Sequence, residues 1–272
     1  MSLLLIDAGN SRIKWTRCTV DRFDATSVAS VSHADVDTLG SSWDTSDDEV
    51  VEAAWISNVA GAAMGAALER SIGGAFGQVP VHFLVPPAVQ CGVVNRYRNP
   101  SQLGPDRWAA VLGAAAACPH GDVLVCGFGT ATTIDLLSRE REATFVGGLI
   151  LPGTETMRRS LARDTARLPM AEGAVQEFAD STDDAIVSGI MAAQVGAVRL
   201  AAARARARIA AAARPLQCVL TGGGAQLIAG AMREAGLAVE VVPDLVLRGL
   251  HAIASTERTD YDTHPEPHKA AR

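Results

Sequence analysis

The chain has 272 residues, 48% of them apolar, and a formal net charge of −6. That length suits one large or two medium domains, and an acidic balance without a basic stripe argues against nucleic acid as a partner. The first apolar run stops at Asp7 with no basic segment before it, too soon for a signal peptide or a spanning helix, so a cytoplasmic protein with no membrane association is expected.

Taken in chain order, Leu3–Ile6 and Ile13–Cys18 read as two strands joined by the turn Asp7-Ala8-Gly9-Asn10-Ser11. Residues 35–49 are acidic and rich in Ser and Thr, and read as loop or short helix. Val50–Ser57 is expected to be a strand, Ala60–Ile72 an alanine-rich helix, and Val79–Val85 another strand before two prolines. Gly104-Pro105-Asp106-Arg107 opens a long apolar helix with Pro at its first position. Pro119-His120-Gly121-Asp122 closes that helix and marks the best domain boundary, giving domains over 1–118 and 119–255.

The second half restarts with Val123–Cys126, Thr132–Leu137 and Phe145–Leu151 as strands, followed by a helix over Glu155–Arg163. Ala185–Ala213 reads as helix, and its Ala/Arg stretch Ala203–Arg208 as a solvated face. Cys218–Thr221 is expected to be a strand entering the glycine turn Gly222-Gly223-Gly224 before another helix. From residue 256 the chain is polar, carries Pro265 and Pro267, and is expected to form a poorly ordered tail over 256–272. Five widely spaced cysteines with no C-x-x-C pair predict reduced, mostly buried thiols and no zinc site.

One feature outweighs the rest: Leu3–Ser11 is echoed by Val123–Ala131, each a buried strand running into a glycine turn with small polar side chains. Glycine lets backbone N–H groups approach an anion with no Cβ in the way. Two such turns predict two related halves closing on one polyphosphate. Alternating strands and helices give an α/β architecture.

Five ordered motifs narrow this further. They are Asp7-Ala8-Gly9-Asn10-Ser11 with Lys14; Asn95-x-Tyr97-x-x-Pro100 through Leu103-Gly104-Pro105-Asp106-Arg107; Gly129-Thr130-Ala131-Thr132-Thr133-x-Asp135; Gly147-Gly148-x-Ile150-x-Pro152-Gly153; and Thr182-x-x-Ala185-Ile186-x-x-Gly189. Together they resemble type III pantothenate kinases, a branch of the actin, sugar-kinase and Hsp70 superfamily. The resemblance implies two duplicated actin-like (ribonuclease H-like) domains of mixed sheets flanked by helices, with nucleotide in the cleft between them.

It also implies transfer of the ATP γ-phosphoryl group to the terminal hydroxyl of pantothenate, the first step toward coenzyme A, by a homodimer. Residue by residue it makes Asp106 the base, and Tyr97, Gly104, Pro105, Asp106, Arg107 and Thr182 the acceptor site. Asp7, Ala8, Gly9, Asn10, Ser11, Arg12, Ile13 and Lys14 form the first ATP turn, Gly129 and Thr130 the second, and Asp7 orients Mg²⁺ through water. The residues alone leave other readings open. Asp106 suits any helix N-terminus, Arg107 a salt bridge, Tyr97 a core aromatic, Lys14 a surface strand, and Thr182 a helix cap beside Ser181. Likewise ATP turns do not name an acceptor, so another small-molecule kinase, a phosphohydrolase or a nucleotide-binding accessory protein remain as alternatives. The resemblance departs at Gly127, where many relatives carry the Asp associated with bound potassium or ammonium; a monovalent-cation requirement is therefore not carried over.

Overall fold

Two strands of this chain are buried along nearly their whole length, and each founds a sheet. The computed structural model describes residues 2–43, 50–209 and 214–263, and the chain forms two units: Met1–Gly92 with Ser101–Ala116 and Val246–Arg272, and Val93–Pro100 with Ala117–Leu245.

In the first unit, β1 (Ser2–Ala8), β2 (Arg12–Cys18), β3 (Ala29–Ser32), β4 (Val51–Asn58) and β5 (Val81–Phe83) form a sheet in the order β3-β2-β1-β4-β5. β1 lies at its centre, antiparallel to β2 and parallel to β4. That position buries both faces and explains why Leu3–Ile6 reads as an unbroken apolar run. Helix α1 (Ala62–Phe76) covers one face through Met64, Ala67, Leu68 and Ile72. A short strand, β6 (Val89–Gln90), and helix α2 (Pro105–Ala117) complete this part. Trp108 of α2 is fully buried and donates its indole N–H to Gln90 Oε1 at 2.8 Å.

The second unit repeats the plan. β7 (Val93–Asn95), β8 (Asp122–Phe128), β9 (Ala131–Ser138), β10 (Thr144–Pro152), β11 (Leu216–Thr221) and β12 (Glu240–Val241) pair in the order β12-β11-β8-β9-β10-β7. β8 shows the same burial sequence, position by position, as β1, so that Gly127 stands where the first unit has Asp7. Helices α3 (Thr154–Asp164), α4 (Thr182–Ile209) and α5 (Ala225–Glu234) flank this sheet.

Helix α4 is long and apolar enough to cross a membrane, with a mean hydropathy of 1.6. Its Met191, Val195, Val198 and Ala202 are nevertheless core residues, packed with β8, β11 and α5 side chains. Arg204, Arg206 and Arg208 are exposed while Ala205 is buried, the solvated face expected from the Ala/Arg alternation. The last part of that expected helix, residues 210–213, lies outside the described residues.

Over residues 256–263, where the start of a tail was expected, the described chain is helix. α6 spans Leu245–Thr263, and from Val246 it belongs to the first unit. Leu247, Leu250, Ile253 and Ala254 are buried, His251 Nε2 donates to Thr19 O at 2.9 Å, and Ser255 Oγ donates to Val20 O at 2.8 Å. Once this buried face has nucleated the helix, each further residue adds a backbone bond, so polar residues 256–263 continue it. Residues 264–272, with Pro265 and Pro267, lie outside the described residues. The division into units therefore differs from the expected 1–118 and 119–255: residues 246–263 join the first unit and Val93–Pro100 the second. Four cysteines are buried, Cys91 is half-buried, and all five are free thiols.

Candidate active site

The first turn is shaped by the β1–β2 register. Asp7 and Lys14 are direct cross-strand partners, which puts both on one face with Cβ atoms about 5 Å apart. Gly9 donates its N–H to Arg12 O at 3.1 Å, closing the hairpin and leaving Asn10, Ser11 and Arg12 exposed at its tip. The Gly9 carbonyl accepts a 2.7 Å hydrogen bond from His33 Nε2. A carbonyl can only accept, so that ring nitrogen carries the proton.

The second turn is one residue tighter, with Gly129 N–H donating to Ala131 O at 3.0 Å. Its Thr130 carbonyl accepts from both Gly153 N–H at 3.0 Å and Thr156 Oγ1 at 2.7 Å. Gly153 is glycine because a Cβ there would run into the carbonyl oxygens of Gly129 and Thr130. Gly222, at φ +92°, and Gly224 close over the base of this turn, Gly224 donating its N–H to Phe128 O at 3.1 Å. Three motifs that lie far apart in sequence thus pack into one glycine-lined corner. Gln194 of α4, wholly buried, supports it by donating Nε2–H to Pro152 O at 2.9 Å.

The acceptor motif sits at the mouth of α2. Gly104 O accepts from Trp108 N–H at 3.0 Å, which makes Gly104 the capping residue and Pro105 the first helical one. Asp106 Oδ1 accepts from Arg107 N–H at 2.8 Å. Burial is the largest influence on this carboxyl and raises its pKa above the ordinary 3.8, against the lowering by the Arg107 N–H and guanidinium. Arg107 itself is only 6% exposed. Such a carboxylate is a better proton acceptor than a solvated one.

Tyr97 and Thr182 belong to the second unit. Asn95 Oδ1 accepts from Tyr97 N–H at 3.1 Å, and the Tyr97 ring tilts against Phe145 at 5.5 Å between centroids. Thr182 opens α4 directly after Ser181, whose Oγ accepts from Asp184 N–H at 3.2 Å, the expected cap. It lines a cavity of about 540 Å³ between α3 and α4, together with Met157, Leu161, Ile186, Gly189 and Ile190. Asp135 is buried within the sheet, opposite Val125 and Gly148.

A family model for type III pantothenate kinase matches residues 3–204. The chain belongs to the type III pantothenate kinase family. Among its relatives, the type III pantothenate kinase of Herminiimonas arsenicoxydans is 40% identical over 263 residues, covering 93% of this chain and 97% of that protein. The one from Janthinobacterium sp. (strain Marseille) is 43% identical over 265 residues, with the same coverage. Solved structures supply the fold: a Baf family protein from Campylobacter jejuni, described as a transcriptional activator, aligns with a TM-score of 0.57 at 20% identity over 94% of this chain and 99% of that one. A structure described as a 2-dehydro-3-deoxygalactonokinase from Sinorhizobium meliloti also scores 0.57, at 18% identity and with the same coverage. The architecture shared with these structures is two mixed sheets flanked by helices.

Pantothenate kinases of this type act on ATP, and kinase chemistry implies a divalent ion with it. Among the described residues no group of three or more His, Cys, Asp or Glu side chains could hold a metal. A carboxylate suits an ion that arrives with a nucleotide and keeps most of its water, and Asp7 stands at the end of β1 beside the exposed turn. Sequence reasoning did not single out His33, Thr156 or Gln194. Each acts on a carbonyl 24 to 42 residues away, a relation with no local spacing to reveal it.

Proposed function

We propose that this chain phosphorylates pantothenate at the expense of ATP, forming 4'-phosphopantothenate and ADP in the first step of coenzyme A biosynthesis. The observation that carries the reading is a buried carboxylate of raised pKa at the mouth of α2, inside the stretch that the family model matches. Asp106 takes the proton from the terminal hydroxyl of pantothenate as its oxygen bonds to the γ-phosphorus. The bond from that phosphorus to the β,γ-bridging oxygen breaks, and ADP leaves with the electron pair. Arg107 balances anionic charge in the acceptor site with its fixed donor fork.

The turns Asp7–Lys14 and Gly129–Thr130 hold the phosphates of ATP, and Asp7 would hold a water-bound Mg²⁺, which would supply neutralisation of the phosphate charge. Tyr97 and Thr182 contact pantothenate, Thr182 reaching across a homodimer. The dimer reading is supported by the apolar lining of the α3–α4 cavity and by Phe178, 93% exposed four residues before Thr182.

The test is ADP release measured with and without pantothenate, with light scattering for the dimer. Pantothenate-dependent release and a phosphorylated acid as product are expected. Turnover of ATP that ignores pantothenate would overturn the reading.

A further inference from the structure

We infer that His33 is a positioning residue for the nucleotide: by holding the Gly9 carbonyl it fixes the direction of the Asn10 N–H at the tip of the first turn. The inference rests on the kinase reading above. A trans peptide is planar, with its C=O and N–H pointing in opposite directions. Whatever holds the carbonyl of residue 9 therefore aims the amide of residue 10. Gly9 has no Cβ to restrict it, and its own N–H is already committed to Arg12 O. That bond fixes the peptide before Gly9, whereas the peptide between Gly9 and Asn10 is held by its carbonyl, which His33 Nε2 grips at 2.7 Å.

The fold delivers His33 to this place. β3 runs antiparallel to β2 with Ser32 opposite Arg12, so the next residue leaves the strand beside the hairpin tip. The 3-10 turn that follows, His33–Ser42, is anchored in the core by Val36 and Leu39, and Ser32 Oγ donates to Asp35 Oδ2 at 2.7 Å across its start. The His33 backbone is thus held before its ring makes any bond. The second unit solves the same problem with other chemistry, since the Thr130 carbonyl is held by Thr156 Oγ1 and Gly153 N–H. Each hairpin thus has one carbonyl secured from outside, at Gly9 in the first and at Thr130, one place further along its turn, in the second. A turn ordered in advance loses less freedom when a phosphate arrives.

The experiment compares full-length wild type, His33→Ala and His33→Gln. It measures kcat, KM for ATP and for pantothenate, thermal midpoint, and calorimetric affinity for a non-hydrolysable ATP analogue. Alanine is expected to raise KM for ATP and weaken the analogue by about five- to twentyfold, the scale of one hydrogen bond to a turn that must then order itself. KM for pantothenate and the thermal midpoint stay close to wild type. Glutamine, whose Nε2–H reaches as far as the imidazole Nε2–H, restores most of the loss. Unchanged analogue affinity in the alanine variant overturns the inference. So does a glutamine variant as weak as alanine, or an equal rise in both KM values accompanied by lost stability, which would mark a purely structural bond. Absence of pantothenate-dependent turnover in the wild type defeats the kinase reading instead, while analogue binding still reports on His33.

Discussion

The Asp106 carboxylate occupies space that a side chain at Gly104 would need: a Cβ on residue 104 would lie 2.6 Å from Asp106 Oδ1. The obstacle is the end of a short side chain, so the carboxylate would give up its bond from Arg107 N–H before the backbone moved. Gly104→Ala should therefore harm activity more than stability. A misplacement near 1 Å costs about a hundredfold in rate, so kcat is expected to fall at least about tenfold, with the thermal midpoint near wild type. A wild-type kcat would show that the carboxylate's position does not matter.

Asp106→Asn should lower kcat by about 10²–10⁴-fold, the usual worth of a general base, with nucleotide binding retained. Its effect on stability has the opposite sign. Burial raises the carboxyl pKa in the folded state, so the folded protein holds the proton more tightly than the unfolded chain does, and ionisation costs stability. That penalty is absent below the ordinary 3.8 and complete above the raised value. The asparagine variant is expected to melt at or above the wild-type temperature at neutral pH, with the advantage vanishing in acid. In the wild type the acid limb of kcat/KM should titrate above the ordinary carboxyl value. Melting curves and rate profiles across pH check both signs.

Gly153→Ala presents the contrary case to Gly104→Ala. Here the added Cβ meets two backbone carbonyls of the second turn, which cannot swing aside. Overpacking of this kind costs about 1–3 kcal/mol, and denaturant midpoints together with KM for ATP should both register it. Thr156→Val removes one of the two donors on Thr130 O and leaves Gly153 N–H in place. Its effect on KM for ATP should be smaller, and Thr156→Ser should restore it.

Gly127 offers no side-chain oxygen, and a Cβ there would lie 2.8 Å from Thr133 Oγ1. The equivalent position in the first unit is Asp7. Potassium dependence is therefore expected to be weak: replacing potassium with a large organic cation should change the rate little. A steep loss in that exchange would count against it.

Much of this was legible because β1 and β8 are buried on both faces, which writes their positions as plain apolar runs, and because glycine marks each place where a backbone must pass close. The same logic exposed Gly104-Pro105 as the opening of α2. What escaped was nonlocal. α6 looks polar in sequence although Leu247, Leu250, Ile253 and Ala254 are buried, and its partners Thr19 and Val20 lie more than 230 residues earlier. The grip of His33 on Gly9 and of Gln194 on Pro152 likewise depends on strands and helices brought together by folding.

The return of α6 carries a consequence for biogenesis. Gly249 lets the helix sit directly on the Ala109 backbone, one turn from the residues that begin α2. The opening half is synthesised before this support, so it cannot reach its finished form until α6 has emerged from the exit tunnel. The section translated in the middle has every strand and helix it needs beforehand, and is placed to mature first.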